Sequence, residues 1–293
     1  MGGLGQDAGV PSGIRVEHVG AQTGMGVDDV GIITDQGGFV LLGAKKNLGL
    51  DEPSGSPLAK ALDQVVEQYV GGVPDGSGAL RPLDPERDLL VMTTDSSAPA
   101  SVRVGLAKLI SNLAGEPGYL DLPNAVHDDQ QKEALPVLRG HLLRSRHWSA
   151  PPTEDDIRAL FRVLRLQVLG LEPDGEQRAV AEVRLTQVLA DRSQQGDAFE
   201  ALTRMAGMLG ERRWWMSRRD ILAWLRDNGF PLLGDLASTL TCGSSPVGPQ
   251  VAHHADAPAS GGHAATARRR TAWPASSMRS YFGVPSRSAH FGP

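Results

Sequence analysis

Cysteine is almost missing from this chain: a single residue, Cys242, in 293 excludes an intramolecular disulfide and any thiolate-rich zinc site. Its Thr/Gly/Ser-rich surroundings offer no base to activate it. Aromatics make up only 5% of the residues, so a core must be built mostly from Leu, Val and Ala, and 40% hydrophobic content over this length suffices for one. There is no apolar run of transmembrane length, and the opening MGGLGQDAGVPSG lacks the basic and apolar regions of a signal peptide. The expectation is a cytoplasmic protein with no membrane partner. No GxxxxGK[ST] occurs, so nothing supports ATP binding. An excess of positive charge is lacking too: the net charge is −5, so nucleic acid would have to be held by a local cluster of cations.

What is present is concentrated in Val27 to Leu50, VDDVGIITDQGGFVLLGAKKNLGL. Asp29 to Thr34 is rich in β-branched residues and Phe39 to Ala44 is a short apolar run. Asp35-Gln36-Gly37-Gly38 between them supplies positive φ and local side-chain hydrogen bonds, which predicts a β-hairpin. Asp28 and Asp29 then return beside Lys45 and Lys46. Carboxylates and an ammonium at one end of a hairpin make a candidate divalent-metal site for phosphodiester cleavage. Asp29, with Asp28 as the alternative that a one-residue change of register would select, and the Ala44 carbonyl are the candidate metal ligands. Lys45 would orient the attacking water and offset charge on the phosphorane. Ordinary solvated strand ends are the competing account.

Residues two apart in a strand share a face, so Gly43 and Lys45 project together. An Asp at one strand followed by x-x-Lys on the next resembles the PD-(D/E)xK nuclease superfamily. The likeness is closest to the double-stranded-DNA endonuclease-like N-terminal domains of bacterial anti-phage effectors and actinobacterial multidomain NTPases. Mapped here, the Asp is Asp29 or Asp28, the triplet is Gly43-Ala44-Lys45, and the acid or amide position at Gly43 is empty. The resemblance implies a restriction-endonuclease-like α/β core and Mg²⁺ or Mn²⁺ as cofactor. It also implies double-stranded DNA as partner and activity switched by assembly into a homo-oligomer. It further implies an extra catalytic carboxylate at Glu17, on a reduced first helix between Gly13 and Met25. DNA contacts are implied for Lys46 and for Gln64 and Gln68 of a helix over Ser56 to Tyr69. With Gly43 empty, a non-catalytic module of the same fold, serving DNA binding or protein interaction, is the alternative. A helical adaptor with a merely structural hairpin is the third.

Along the rest of the chain, Ser56-Pro57 predicts a capped helix start, with Leu58, Leu62, Val65, Val66 and Tyr69 on its apolar face. Asp88 to Thr94 predicts a buried strand by its continuous apolar character, and Asp95-Ser96-Ser97 the cap of a following helix. Helices are predicted over Ser101–Ala114, Gln130–Arg146, Asp155–Val163, Glu176–Leu189, Ala198–Leu209 and Ser217–Asn228, with a strand at Leu164–Leu169. His127-Asp128-Asp129 reads as a polar helix entry. Two basic clusters stand out, Arg139, His141, Arg144, Arg146 and His147, and Glu211-Arg212-Arg213-Trp214-Trp215 with Arg218 and Arg219. Arginine beside aromatics can contact phosphate and stack on bases, although such tryptophans more often anchor a core. The organisation expected is a nuclease-like α/β domain over 1–120, a mainly helical region over 121–235 packed on it, and a disordered tail over 236–293 rich in Ser, Pro, Gly, Ala and His.

Overall fold

A computed structural model describes residues 15–27, 29–51, 53–75, 77, 79–115, 126 and 128–234; Asp28, His127, Cys242 and the expected disordered tail lie outside them. The hairpin predicted from the turn residues is present as β2 (Val30–Thr34) and β3 (Phe39–Lys45). Before it runs a strand, β1 (Val16–Ala21), where a reduced helix is expected. The local sequence, VEHVGA, has little strand signal; its state is set by antiparallel pairing on both sides, with β2 and with β8 (Trp215–Ser217). After the hairpin come α1 (Pro57–Gly71), a small ribbon of β4 (Val73–Pro74) and β5 (Leu80–Arg81), and β6 (Leu89–Thr94). A π-helical turn over Ser101–Leu106 continues into α2 (Ala107–Gly115). Then follow α3 (Asp129–Arg144), α4 (Glu154–Val163), β7 (Leu164–Val168), α5 (Glu176–Leu185), α6 (Gln195–Arg212) and, after β8, α7 (Arg218–Asp227).

The architecture is α/β with a mixed six-stranded sheet in the order β7-β6-β3-β2-β1-β8. β6 lies parallel to both β3 and β7, while β1, β2, β3 and β8 meet as antiparallel neighbours. β7 and β8, both from beyond residue 120, complete a sheet begun by the first half of the chain. The odd-numbered residues of β3 face the main core: Phe39 and Leu41 pack with Leu58, Leu62, Val65 and Val66 of α1 and with Leu106, Leu109 and Ile110 of the next helical segment. At about 1.5–3 kcal/mol per buried Leu or Val, this face dominates the stabilisation. The Ser56 hydroxyl accepts from the Ala59 N–H at 3.2 Å and Pro57 opens α1, as the cap signal predicts. Val40, Leu89 and Val91 form a small cluster on the other face. α5, α6 and α7 close a separate core of Leu185, Leu189, Ala198, Ala201, Leu225, Phe230 and Leu232, and α6 and α7 pack against β1.

Asp95 does not cap the helix that follows it. Its carboxylate accepts from the N–H and hydroxyl of Ser97, closing a turn, while the π-helical turn begins without a side-chain cap. These bonds, the Ser97 hydroxyl first, hold the Asp95 carboxyl below its ordinary range, and Lys46 adds a smaller attraction. Among the described residues no helix is long and apolar enough to cross a membrane.

Candidate functional site

Hairpin register decides what Asp29 meets. Val30 pairs with Leu42, so the next step sets Asp29 opposite Gly43, on the face that also carries Lys45. The Asp29 Oδ2 accepts from the Ala44 N–H at 2.6 Å, and the Lys45 ammonium stands 3.9 Å from the same oxygen. Both side chains are partly exposed, 41% for Asp29 and 25% for Lys45, so their attraction is weakened by solvent. A strand residue's N–H and C=O leave on the same side, which turns the Ala44 carbonyl toward Asp29 as well.

A side chain at Gly43 would be crowded on one side, by Val27. A Cβ built there meets Val27 Cγ1 at 3.3 Å, and Val27 is buried in the main core. The Gly43 carbonyl is turned the other way, toward β6, where the Thr93 hydroxyl donates to it at 3.4 Å. Glu17 is not part of this constellation. It is exposed at a bulge in the β1 pairing, near the far end of β2, roughly 13 Å along the strand from the end that adjoins Asp29. Lys46 is exposed in the turn after β3. Gln64 is half-buried on α1, with its carbonyl close to Gly26 of the loop preceding Asp29. Gln68 is buried, and its side-chain amide donates to the Gly72 carbonyl, finishing α1 instead of reaching the surface.

These residues do not fit a pre-formed Mg²⁺ or Mn²⁺ site. Among the described residues no group of three or more His, Cys, Asp or Glu is placed to hold a metal ion. Among the described residues Asp29 is the carboxylate that the hairpin register sets beside Lys45, one of its oxygens is committed to the Ala44 N–H, and Gly43 opposite it brings no side-chain ligand. A hard divalent cation prefers six oxygens in octahedral geometry, of which this frame supplies two.

The first basic cluster is divided, with His141 packed inside and Arg139 and Arg146 exposed. His141 is buried with Nε2 at 2.8 Å from the Asp51 carbonyl, and Arg146 and His147 face Asp63 of α1 at 3.6 and 3.3 Å. Asp128 caps α3 by accepting from the Gln131 N–H, which agrees with a polar helix entry. The second cluster splits. Trp215 is half-buried and lies across the paired glycines Gly20 and Gly31, whose built Cβ atoms fall 2.5 and 2.6 Å from its ring. Trp214 is 46% exposed, with the Arg212 guanidinium 4.7 Å above its ring centroid. Its carbonyl accepts from the Ala21 N–H at 3.4 Å, which puts Trp214, Ala21, Val30 and Leu42 in one row at the same end of the sheet as Asp29.

The sequence holds one sign of this arrangement, the two glycines inside strands, since strand glycines often mark a close approach. Comparison with protein-family models, with curated proteins and with solved structures returns no match for the chain.

Proposed function

We propose that the chain is a nuclease-fold module of the PD-(D/E)xK kind whose centre has lost its means of holding a metal, and that it contacts double-stranded DNA without cutting it. The observation carrying this reading is the hairpin end: the Asp29 carboxylate is bound to the Ala44 N–H beside Lys45, and Gly43, crowded by Val27 on one side, brings no ligand. The sheet order supports the fold, because the hairpin is followed by a helix and then by a strand parallel to β3. The second reading is an active metal-dependent endonuclease of an anti-phage effector. It is favoured by one fact, the presence of Asp29, the Ala44 carbonyl and Lys45 on one hairpin end. In that case the phosphate of DNA and bound water would have to complete the coordination of Mg²⁺ or Mn²⁺.

Plasmid cleavage with Mg²⁺ and Mn²⁺ separates the two. The natural chain is expected to be inert. Gly43→Gln alone is expected to destabilise the fold by roughly 1–3 kcal/mol through overpacking against Val27. Combined with Val27→Ala, it has room and is expected to bring metal-dependent nicking that Lys45→Ala removes. Cutting by the natural chain that falls at least about 100-fold in Lys45→Ala or Asp29→Ala would establish the endonuclease instead.

A further inference from the structure

We propose that Arg212 and Trp214 form a second nucleic-acid contact, gripping the phosphate backbone of duplex DNA away from the hairpin end. The inference rests on the reading of the chain as a DNA-contacting nuclease-fold module. Its own ground is the contrast between the chain's cation–aromatic pairs. The Arg178 guanidinium lies 4.9 Å over Phe199 and is neutralised by Glu182 and Glu200 at 2.9 and 2.7 Å. Arg212 lies over Trp214 with no carboxylate within ion-pair distance among the described residues. Stacking occupies only the face of a guanidinium and leaves its in-plane N–H donors available for a bidentate phosphate contact. Trp214 holds that plane in place while half its own surface remains open.

The contact is separate from the hairpin end: Trp214 is in register with Leu42 and so lies on the face of the sheet opposite the one that carries Asp29, Gly43 and Lys45. Trp214 and Leu42 lie in one row of the sheet three strands apart, and Lys45 follows Leu42 further along β3. With ordinary strand spacing and rise the in-plane separation of Trp214 and Lys45 is about 17 Å. In a chain of net charge −5, Arg212 keeps its charge without a carboxylate within ion-pair distance among the described residues, whereas Lys45 is paired with Asp29, so the stacked guanidinium is the cation offered to a partner of negative charge.

The test is fluorescence anisotropy of a labelled DNA duplex across a salt series, with circular-dichroism melts to confirm that each variant folds. Arg212→Ala is expected to weaken binding severalfold and to reduce the slope of log K against log salt by about one. Arg212→Lys keeps the charge and should retain the slope while losing affinity, and Trp214→Ala should weaken binding about tenfold. Arg212→Ala and Trp214→Ala with natural affinity and slope would overturn this contact and leave the DNA reading standing. Failure of the natural chain to bind the duplex even at low salt would overturn both. Tighter binding of poly-glutamate or single-stranded RNA than of the duplex would overturn double-stranded DNA as the ligand.

Discussion

Replacing Asp88 by alanine is expected to cost roughly 3–5 kcal/mol, a large share of the 5–15 kcal/mol that holds a typical domain. Asp88 is wholly buried at the start of β6. Its carboxylate accepts from the Phe39 N–H at 2.8 Å, the Asp84 N–H at 2.7 Å and both terminal nitrogens of Arg81. It thereby ties the first residue of β3 to the first turn before β6, where the parallel part of the sheet begins. Alanine leaves the two N–H groups and a largely buried guanidinium without their acceptor, and an unpaired buried charge costs more than the pair contributes when intact. Arg81 keeps the carbonyls of Gly37 and Pro82, which places the loss within that range instead of above it. Urea unfolding checks this: the midpoint should fall with little change in slope. Asp88→Asn preserves one acceptor and should lose about half as much. A loss under about 1 kcal/mol for Asp88→Ala would mean that the anchor is dispensable.

How much of this was legible in the sequence depends on where the determining contacts lie. The hairpin was, because Asp35 to Gly38 and the β-branched run before them act locally, and α1 was, because Ser56 and Pro57 mark its start and Leu58, Leu62 and Val65 its face. Asp29 and Lys45 could be brought to one end by strand periodicity alone. β1 could not be read, since Glu17, His18 and Gly20 favour no strand and only its two neighbours and the bulge fix it. β8 is three residues in an Arg/Trp-rich segment, and its state comes from the seat of Trp215 on glycines nearly two hundred positions earlier. The crowding of Gly43 by Val27 depends on the irregular loop ahead of Asp29, which has no periodicity to follow. A DNA contact at Gln68 was implied only by the family resemblance, and its side chain is claimed by the end of its own helix.

Gly31→Val sets two known effects against each other, and the sign of the result tests the seat of Trp215. By strand propensity alone valine should be better than glycine by up to about 1 kcal/mol. At Gly31, however, even a Cβ falls 2.6 Å from the Trp215 ring and 2.9 Å from the Thr23 methyl, and the opposite residue, Gly20, is equally closed at 2.5 Å. Neither side can yield to the other, so the indole must leave. The expected net cost is roughly 1–3 kcal/mol, the range for overpacking, despite the better propensity. β8 holds the sheet edge with three residues, so its pairing with β1 should loosen first: faster amide exchange across Trp215 to Ser217 and a red shift in tryptophan emission are expected. Trp214 would then lose its place beside Ala21, and duplex affinity should fall although Gly31 itself is covered. In a double-mutant cycle, Trp215→Ala should remove most of the penalty of Gly31→Val, with a coupling above about 1 kcal/mol. A Gly31→Val chain as stable as the natural one, with unchanged exchange at β8, would show that the indole does not rest on these glycines and would remove the structural basis for placing Trp214 in the row of Val30 and Leu42.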